Sequence, residues 1–233
     1  MKPRVTILVV AVVAIIAAAA IFFFTQSGGG PAALTANEKA TQANPGQPAV
    51  AGPAQVAGSD LMVAGPLGDH ALGDPKAPNV VIEYGSLTCS HCQRFNAEVF
   101  KPFKAKYIDT GKVYYIFREF PLNPIDQSAI MEVRCAPPEK FYALVDFLYE
   151  QQATWAFVND PQVALAALLK QAGIGQDAFD ACLKNQPILD GINAVKNRAA
   201  EKFGVTATPT FFFNGKKEEG EQTLADIDKI LAG

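Results

Sequence analysis

The chain has 233 residues, of which 49% are hydrophobic and 18% charged, with 20 Lys+Arg against 23 Asp+Glu, two His and four Cys. That length holds one good-sized domain plus accessory segments, and a formal net charge of -3 offers no basic footprint for nucleic acid. The hydrophobic share is inflated by one stretch, Val5 to Phe24, and the remainder has the composition of an ordinary soluble protein.

Lys2 and Arg4 precede that stretch and only Thr6 interrupts it. Its length is about that of a bilayer-spanning helix, and the flanking charges predict an amino terminus inside with the remainder exported. The sequence therefore predicts a membrane anchor over 1–24, holding a periplasmic or otherwise extracytoplasmic domain on the inner membrane. The alternative is a signal peptide, followed by secretion after cleavage, although the apolar core of such a peptide usually runs only about 7 to 15 residues. Either reading places the rest in an oxidising space where disulfides persist. From residue 25 to 60 the composition falls to Ala, Gly, Pro, Gln and Ser, which cannot bury enough apolar surface to order itself and reads as a flexible tether.

Asn79 to Tyr84 is a short β-branched run followed by Gly85 and Ser86, and it predicts a buried strand. From Cys92, the residues Phe95, Val99, Phe103 and Tyr107 recur at helical spacing up to Gly111, with Pro102 predicting a kink. Val113 to Phe117 predicts a second strand, and a strand, helix and strand at this spacing predict a right-handed parallel crossover. Five helices are expected next, over Ile125–Cys135, Lys140–Gln151, Pro161–Ala172, Gln176–Lys184 and Ile188–Phe203, with Asp160 as an N-cap and Gly173 as a stop. Strand character returns at Thr210 to Phe213, before an Asn214-Gly215 turn, a short charged strand over Lys216 to Glu219 and a last helix over Leu224 to Leu231. The predicted architecture is α/β, with core segments at 61–120 and 203–233 and an all-helical insertion at 121–202.

The tetrad Cys89-Ser90-His91-Cys92 falls between a strand and the first turn of a helix. Unpaired N–H groups and the helix dipole there stabilise a thiolate, so Cys89 is expected to carry a depressed pKa, with His91 as a further donor or cation. Three-residue spacing puts Cys92 one turn deeper, within reach of a disulfide with Cys89. Cys89 then reads as the exposed nucleophile and Cys92 as the resolving thiol. A zinc site needs two more ligands, and the remaining cysteines lie at unsuitable spacings, so no metal is expected.

The segment Glu83 to Cys92, together with Val205-Thr206-Ala207-Thr208-Pro209-Thr210-Phe211, resembles the DsbA-type thiol-disulfide oxidoreductases of the thioredoxin superfamily, over roughly Leu67 to Leu231. The resemblance implies a thioredoxin-like fold, a central mixed β-sheet flanked by helices, interrupted by the helical insertion. It implies dithiol-disulfide exchange at Cys89 and Cys92 without a cofactor, a cis peptide bond before Pro209, and Thr208 lying against the active sulfur to receive an extended substrate. It also implies reduced or unfolded exported proteins as substrates and a membrane partner for reoxidation. Glu83, a carboxylate in an apolar strand six residues before Cys89, has two readings: a strand end reaching solvent, or a buried acid that relays a proton for Cys92. Family members with an acid at this point favour the second.

Cys135 and Cys182 both fall in the insertion and, in an exported domain, are expected to form a structural disulfide rather than a second redox pair. His70, in a Gly-rich stretch, is expected at the surface. Most of Phe141, Tyr142, Phe147, Tyr149, Trp155 and Phe157 are expected in the core. Ser90, where strong oxidases of the family carry proline, and Thr208 keep a disulfide isomerase or reductase open as an alternative. A non-catalytic chaperone or binding module of the same fold is a third reading, and a monomer is expected throughout.

Overall fold

The computed structural model describes residues 59–232, so the expected anchor over 1–24 and nearly all of the expected tether lie outside the described residues. Five strands form one mixed sheet in the order β1-β3-β2-β4-β5: β1 His70–Leu72, β2 Asn79–Gly85, β3 Val113–Glu119, β4 Thr210–Phe213 and β5 Lys216–Glu219. β2 pairs parallel with β3, with Val81 opposite Tyr115 and Glu83 opposite Phe117, and antiparallel with β4. The predicted crossover between β2 and β3 is therefore present.

β2 reads as a continuous apolar run because both of its faces are covered. Val80, Ile82 and Tyr84 pack on one side with Leu61, Ile116, Val195, Ala199 and Phe212. Val81 faces the other side and joins the larger core of Phe95, Phe103, Tyr115, Phe117, Phe211 and Phe213, which continues into the helical insertion. Glu83, two residues on from Val81, points to that larger core, because side chains alternate along a strand.

The first helix, α1 (90–108), keeps its course through Pro102 without a break. It runs as α-helix over Ser90–Phe95, in π register over Asn96–Phe100, as one α-turn over Lys101–Phe103 and again in π register over Lys104–Ile108. Pro102 has no N–H to offer the preceding turn, and the register is widened to π on both sides of it.

The elements between β3 and β4 are helices: α2 Pro124–Cys135, a 3₁₀ turn over Pro138–Lys140, α3 Phe141–Glu150, α4 Gln152–Trp155, α5 Pro161–Gln171, α6 Gln176–Leu183 and α7 Gln186–Phe203. The last helix, α8, is Leu224–Ala232. Asn123 caps α2 by accepting the Asp126 N–H at 3.0 Å, with Pro124 opening the helix. α5 stops at Gly173 (φ 89°), where Ile174 N–H bonds Leu169 O and Gly173 N–H bonds Lys170 O.

Several expectations need correction. Asp160 makes no side-chain cap to α5; its backbone, at φ -118° and ψ 73°, departs from the extended geometry that aims a side chain at the first-turn N–H groups. Most of the insertion's aromatic residues do join the core, as expected: Trp155 is fully buried, with its indole N–H on Leu148 O at 2.9 Å, and Phe157, 65% exposed, is the exception. His70 is half-buried rather than free at the surface. It opens β1, antiparallel to β3, and its ring stacks on Phe141 at a centroid distance of 3.7 Å. β1 itself was not predicted, because three residues are too few to display a period of two.

Candidate active site at the first turn of α1

The loop between β2 and α1 is held from below by a single carboxylate. Asp126, fully buried in the first turn of α2, accepts from Ser86 Oγ at 2.6 Å, Leu87 N–H at 2.8 Å and Leu122 N–H at 2.8 Å. Burial pushes its acid up to about 6, against the pull of these donors. Tyr149 OH donates to Ser86 O at 3.1 Å, and the Gln152 amide donates to both Leu87 O and Cys89 O. Thr88 Oγ1 accepts from Asn123 Nδ2 at 2.9 Å. Loop carbonyls 86, 87 and 89 are thus fixed by side chains from the insertion, and Cys89 is fixed at the N-cap of α1.

Both cysteines of the tetrad are reduced. Cys92 is fully buried, and Cys89, expected to be exposed, is only 7% exposed because the Thr208-Pro209 segment lies over its sulfur. The Cys89 thiol donates to Thr208 O at 3.2 Å, and the Thr208-Pro209 peptide bond is cis. The thiol of Cys92 bonds to Cys89, and with the backbone N–H groups of His91 and Cys92 it lowers the Cys89 pKa from 9.0 to about 5, although burial opposes this. Cys92 moves the opposite way, well above the ordinary value, because burial is reinforced by donation to Cys89 and by the charge of Glu83. The two sulfurs of one tetrad are therefore electrostatically distinct.

Glu83 is 2% exposed and accepts from Tyr115 OH at 2.5 Å. Burial raises its acid to about 8, with the Tyr115 hydrogen bond working against that shift. This places Glu83 inside the core, and the reading as a strand end reaching solvent is set aside. Ser90 is exposed on the first turn. His91 is exposed as well, and its Nδ1 pairs with Glu221, which also takes Arg94 at 3.0 Å. The imidazole is thus engaged across the mouth of the site, while the link from His91 to the Cys89 sulfur runs through its backbone N–H.

Asp126, Gln152, Tyr115 and Glu221 support this site and were not singled out from the sequence. Asp126 alone left a trace, as the polar residue three places after the Asn123 cap. In the insertion, Cys135 and Cys182 form a disulfide with 6.0 Å between Cα atoms, far along the chain from the tetrad. Among the described residues no cluster of three or more His, Cys, Asp or Glu side chains could hold a metal ion.

Comparison with known proteins places these observations in context. A family model described as thioredoxin matches residues 67–232. An inferred protein-disulfide oxidoreductase of Rickettsia typhi is 33% identical over 152 residues, covering 65% of this chain and 56% of that protein. Another from Rickettsia prowazekii is 33% identical over 167 residues, covering 70% of this chain and 61% of its own length. The chain thus spans somewhat more than half the length of these curated relatives. Among solved structures, α-DsbA1 of Wolbachia pipientis matches with a TM-score of 0.67 and 35% identity, covering 74% of this chain and 92% of that one. A protein-disulfide isomerase from Novosphingobium aromaticivorans matches with a TM-score of 0.64 and 27% identity, covering 73% of this chain and 98% of that one.

Proposed function

The chain belongs to the thioredoxin family, among its DsbA-type thiol-disulfide oxidoreductases, and on that premise we propose that it introduces disulfides into exported proteins through Cys89 and Cys92. The observation that carries this reading is the opposed behaviour of the two sulfurs: Cys89, at the N-cap of α1 against Thr208, held near 5, and the fully buried Cys92 pushed upward. In the oxidised form, a substrate thiolate attacks Cys89 Sγ, a substrate–Cys89 disulfide forms, and the Cys89–Cys92 bond breaks with its electron pair on Cys92. A second substrate thiolate then attacks the substrate sulfur of that mixed disulfide, closing the substrate's own bond and expelling Cys89 as a thiolate. Two electrons pass from substrate to enzyme. The low pKa of Cys89 makes it the better leaving group and weights the reduced form, which is the property of an oxidant.

Thr208 and Pro209 flank the sulfur as the substrate-binding edge, where an extended segment would pair strand-like with the Thr208 backbone. Glu83 would take the proton that Cys92 must gain or lose, since its acid lies near 8, close to working pH. A membrane redox partner would reoxidise the pair. The location follows from Lys2 and Arg4 before the apolar run, and the Cys135–Cys182 bridge supports an oxidising compartment. Among the described residues no helix is long and apolar enough to cross a membrane, so anchoring falls to the segment before them.

The decisive experiment is trapping. Cys92→Ala mixed with a reduced, unfolded substrate and a small-molecule oxidant is expected to accumulate a mixed disulfide mapping to Cys89; equal trapping by Cys89→Ala through Cys92 would overturn the assignment. The isomerase reading has support from Ser90, Thr208 and the Novosphingobium neighbour. Refolding of reduced against scrambled ribonuclease separates the two, and rescue of the scrambled form alone would select isomerase.

A further inference from the structure

A second concave site lies in the helical insertion. It is a cavity of about 450 Å³, within the range of small-molecule sites, bounded by the end of α2, the start of α3, the turn between α5 and α6, and α6 itself. Its walls are apolar, including Leu144, Ile174, Ala178 and Ala181, with the Cys135–Cys182 bridge forming one side. Glu132 breaks that pattern. The side chain lines the cavity, its residue is 1% exposed, and its Oε1 has no hydrogen-bond partner. A buried carboxylate oxygen without a donor is costly and calls for an explanation.

The surrounding charge indicates what would satisfy it. The carboxyl ends of α2 and α5 border the cavity through Cys135 and Ala172, where helix C-termini favour cations, while Asn185, the N-cap of α7, has its side-chain oxygen already taken by the Ile188 N–H. Asp180 on α6 adds a negative charge near Glu132, while Lys140, exposed and also lining the cavity, is the opposing charge. We propose that this cavity binds a small organic amine, its ammonium on the Glu132 carboxylate and its apolar body against Leu144, Ile174 and the disulfide. Burial holds the Glu132 acid near 8, so seating an ammonium at neutral pH would release a proton from Glu132.

The test is calorimetric titration of the full-length chain, with the Cys135–Cys182 bridge intact, using benzylamine and its neutral counterpart benzyl alcohol. Benzylamine is expected to bind more tightly than benzyl alcohol, with proton release at pH 7. Glu132→Gln should weaken benzylamine by roughly tenfold or more while leaving benzyl alcohol almost unchanged. Ala178→Phe, which fills the cavity from an exposed helix position, should abolish both. Equal affinity for the two probes, an unaffected Glu132→Gln variant, or no benzylamine binding at millimolar concentration would each overturn the proposal. None of these readouts depends on the sulfur chemistry at Cys89.

Discussion

Acidifying the reduced protein from pH 7 to pH 4 is expected to remove about 3 kcal/mol of stability that resides in the Cys89 thiolate. A thiol whose folded pKa is depressed favours the fold fully above its unfolded value, here 9.0, and the advantage is lost as pH falls through the folded value of about 5. At pH 7 the solution is about 2 pH units above the folded midpoint and about 2 below the unfolded one. Each unit is worth about 1.36 kcal/mol, which gives about 3 kcal/mol at pH 7, and at pH 4 almost none of it remains. The disulfide form has no thiolate, so the same energy weights the reduced state and makes the pair about 60 mV more oxidising at pH 7 than one with ordinary thiols. The assay is urea unfolding of the reduced chain and of Cys89→Ala at several pH values between 4 and 7, subtracting one from the other so that shared acids cancel. A parallel titration follows thiolate absorbance. A difference that stays flat over this interval, or a thiolate midpoint near 9, would refute the electrostatic account.

Because donation from Cys92 is the largest cause of the low Cys89 value, Cys92→Ala should raise the alkylation midpoint of Cys89, while Cys92→Ser, which keeps a donor, should raise it less. Asp126→Ala strips the partner from Ser86 Oγ, Leu87 N–H and Leu122 N–H together and is expected to cost about 3 kcal/mol or more in urea unfolding. Replacing Cys135 and Cys182 by Ser opens a loop with a sequence separation of 47 and should cost about 4 kcal/mol by the chain-entropy relation, without displacing the thiolate titration of Cys89.

Four of the five strands and most helices were legible because their signals are local. The β-branched run of β2, the four-residue recurrence of Phe95, Val99, Phe103 and Tyr107, and the Asn214-Gly215 turn each express themselves within a few residues. The support of the site was not legible, because it is built across distance. Tyr115 reaches Glu83 only once β2 and β3 align with Val81 opposite Tyr115, and Asp126 reaches Ser86 only once α2 is folded under the loop. Glu221 lies 130 residues from His91, and no pattern in either neighbourhood announces their pairing. The sulfur tetrad was readable for the opposite reason, since a strand, a helix start and both thiols fit in one short segment.

The composition of β5 has a consequence for the company this domain keeps. Lys216, Lys217, Glu218 and Glu219 make an outermost strand on which Lys216 pairs with Glu218 at 2.8 Å and Lys217 with Glu219 at 2.9 Å. A bare sheet edge is a template for any extended chain, and lysines along it discourage such growth. At the other side of the sheet β1 offers only three residues. On the proposed function the domain would work among unfolded polypeptides, where edge-on capture is a greater hazard than for most proteins. With one border short and the other heavily charged, the proposed receiving edge at the Thr208 backbone beside the sulfur would face little competition from the sheet's own edges.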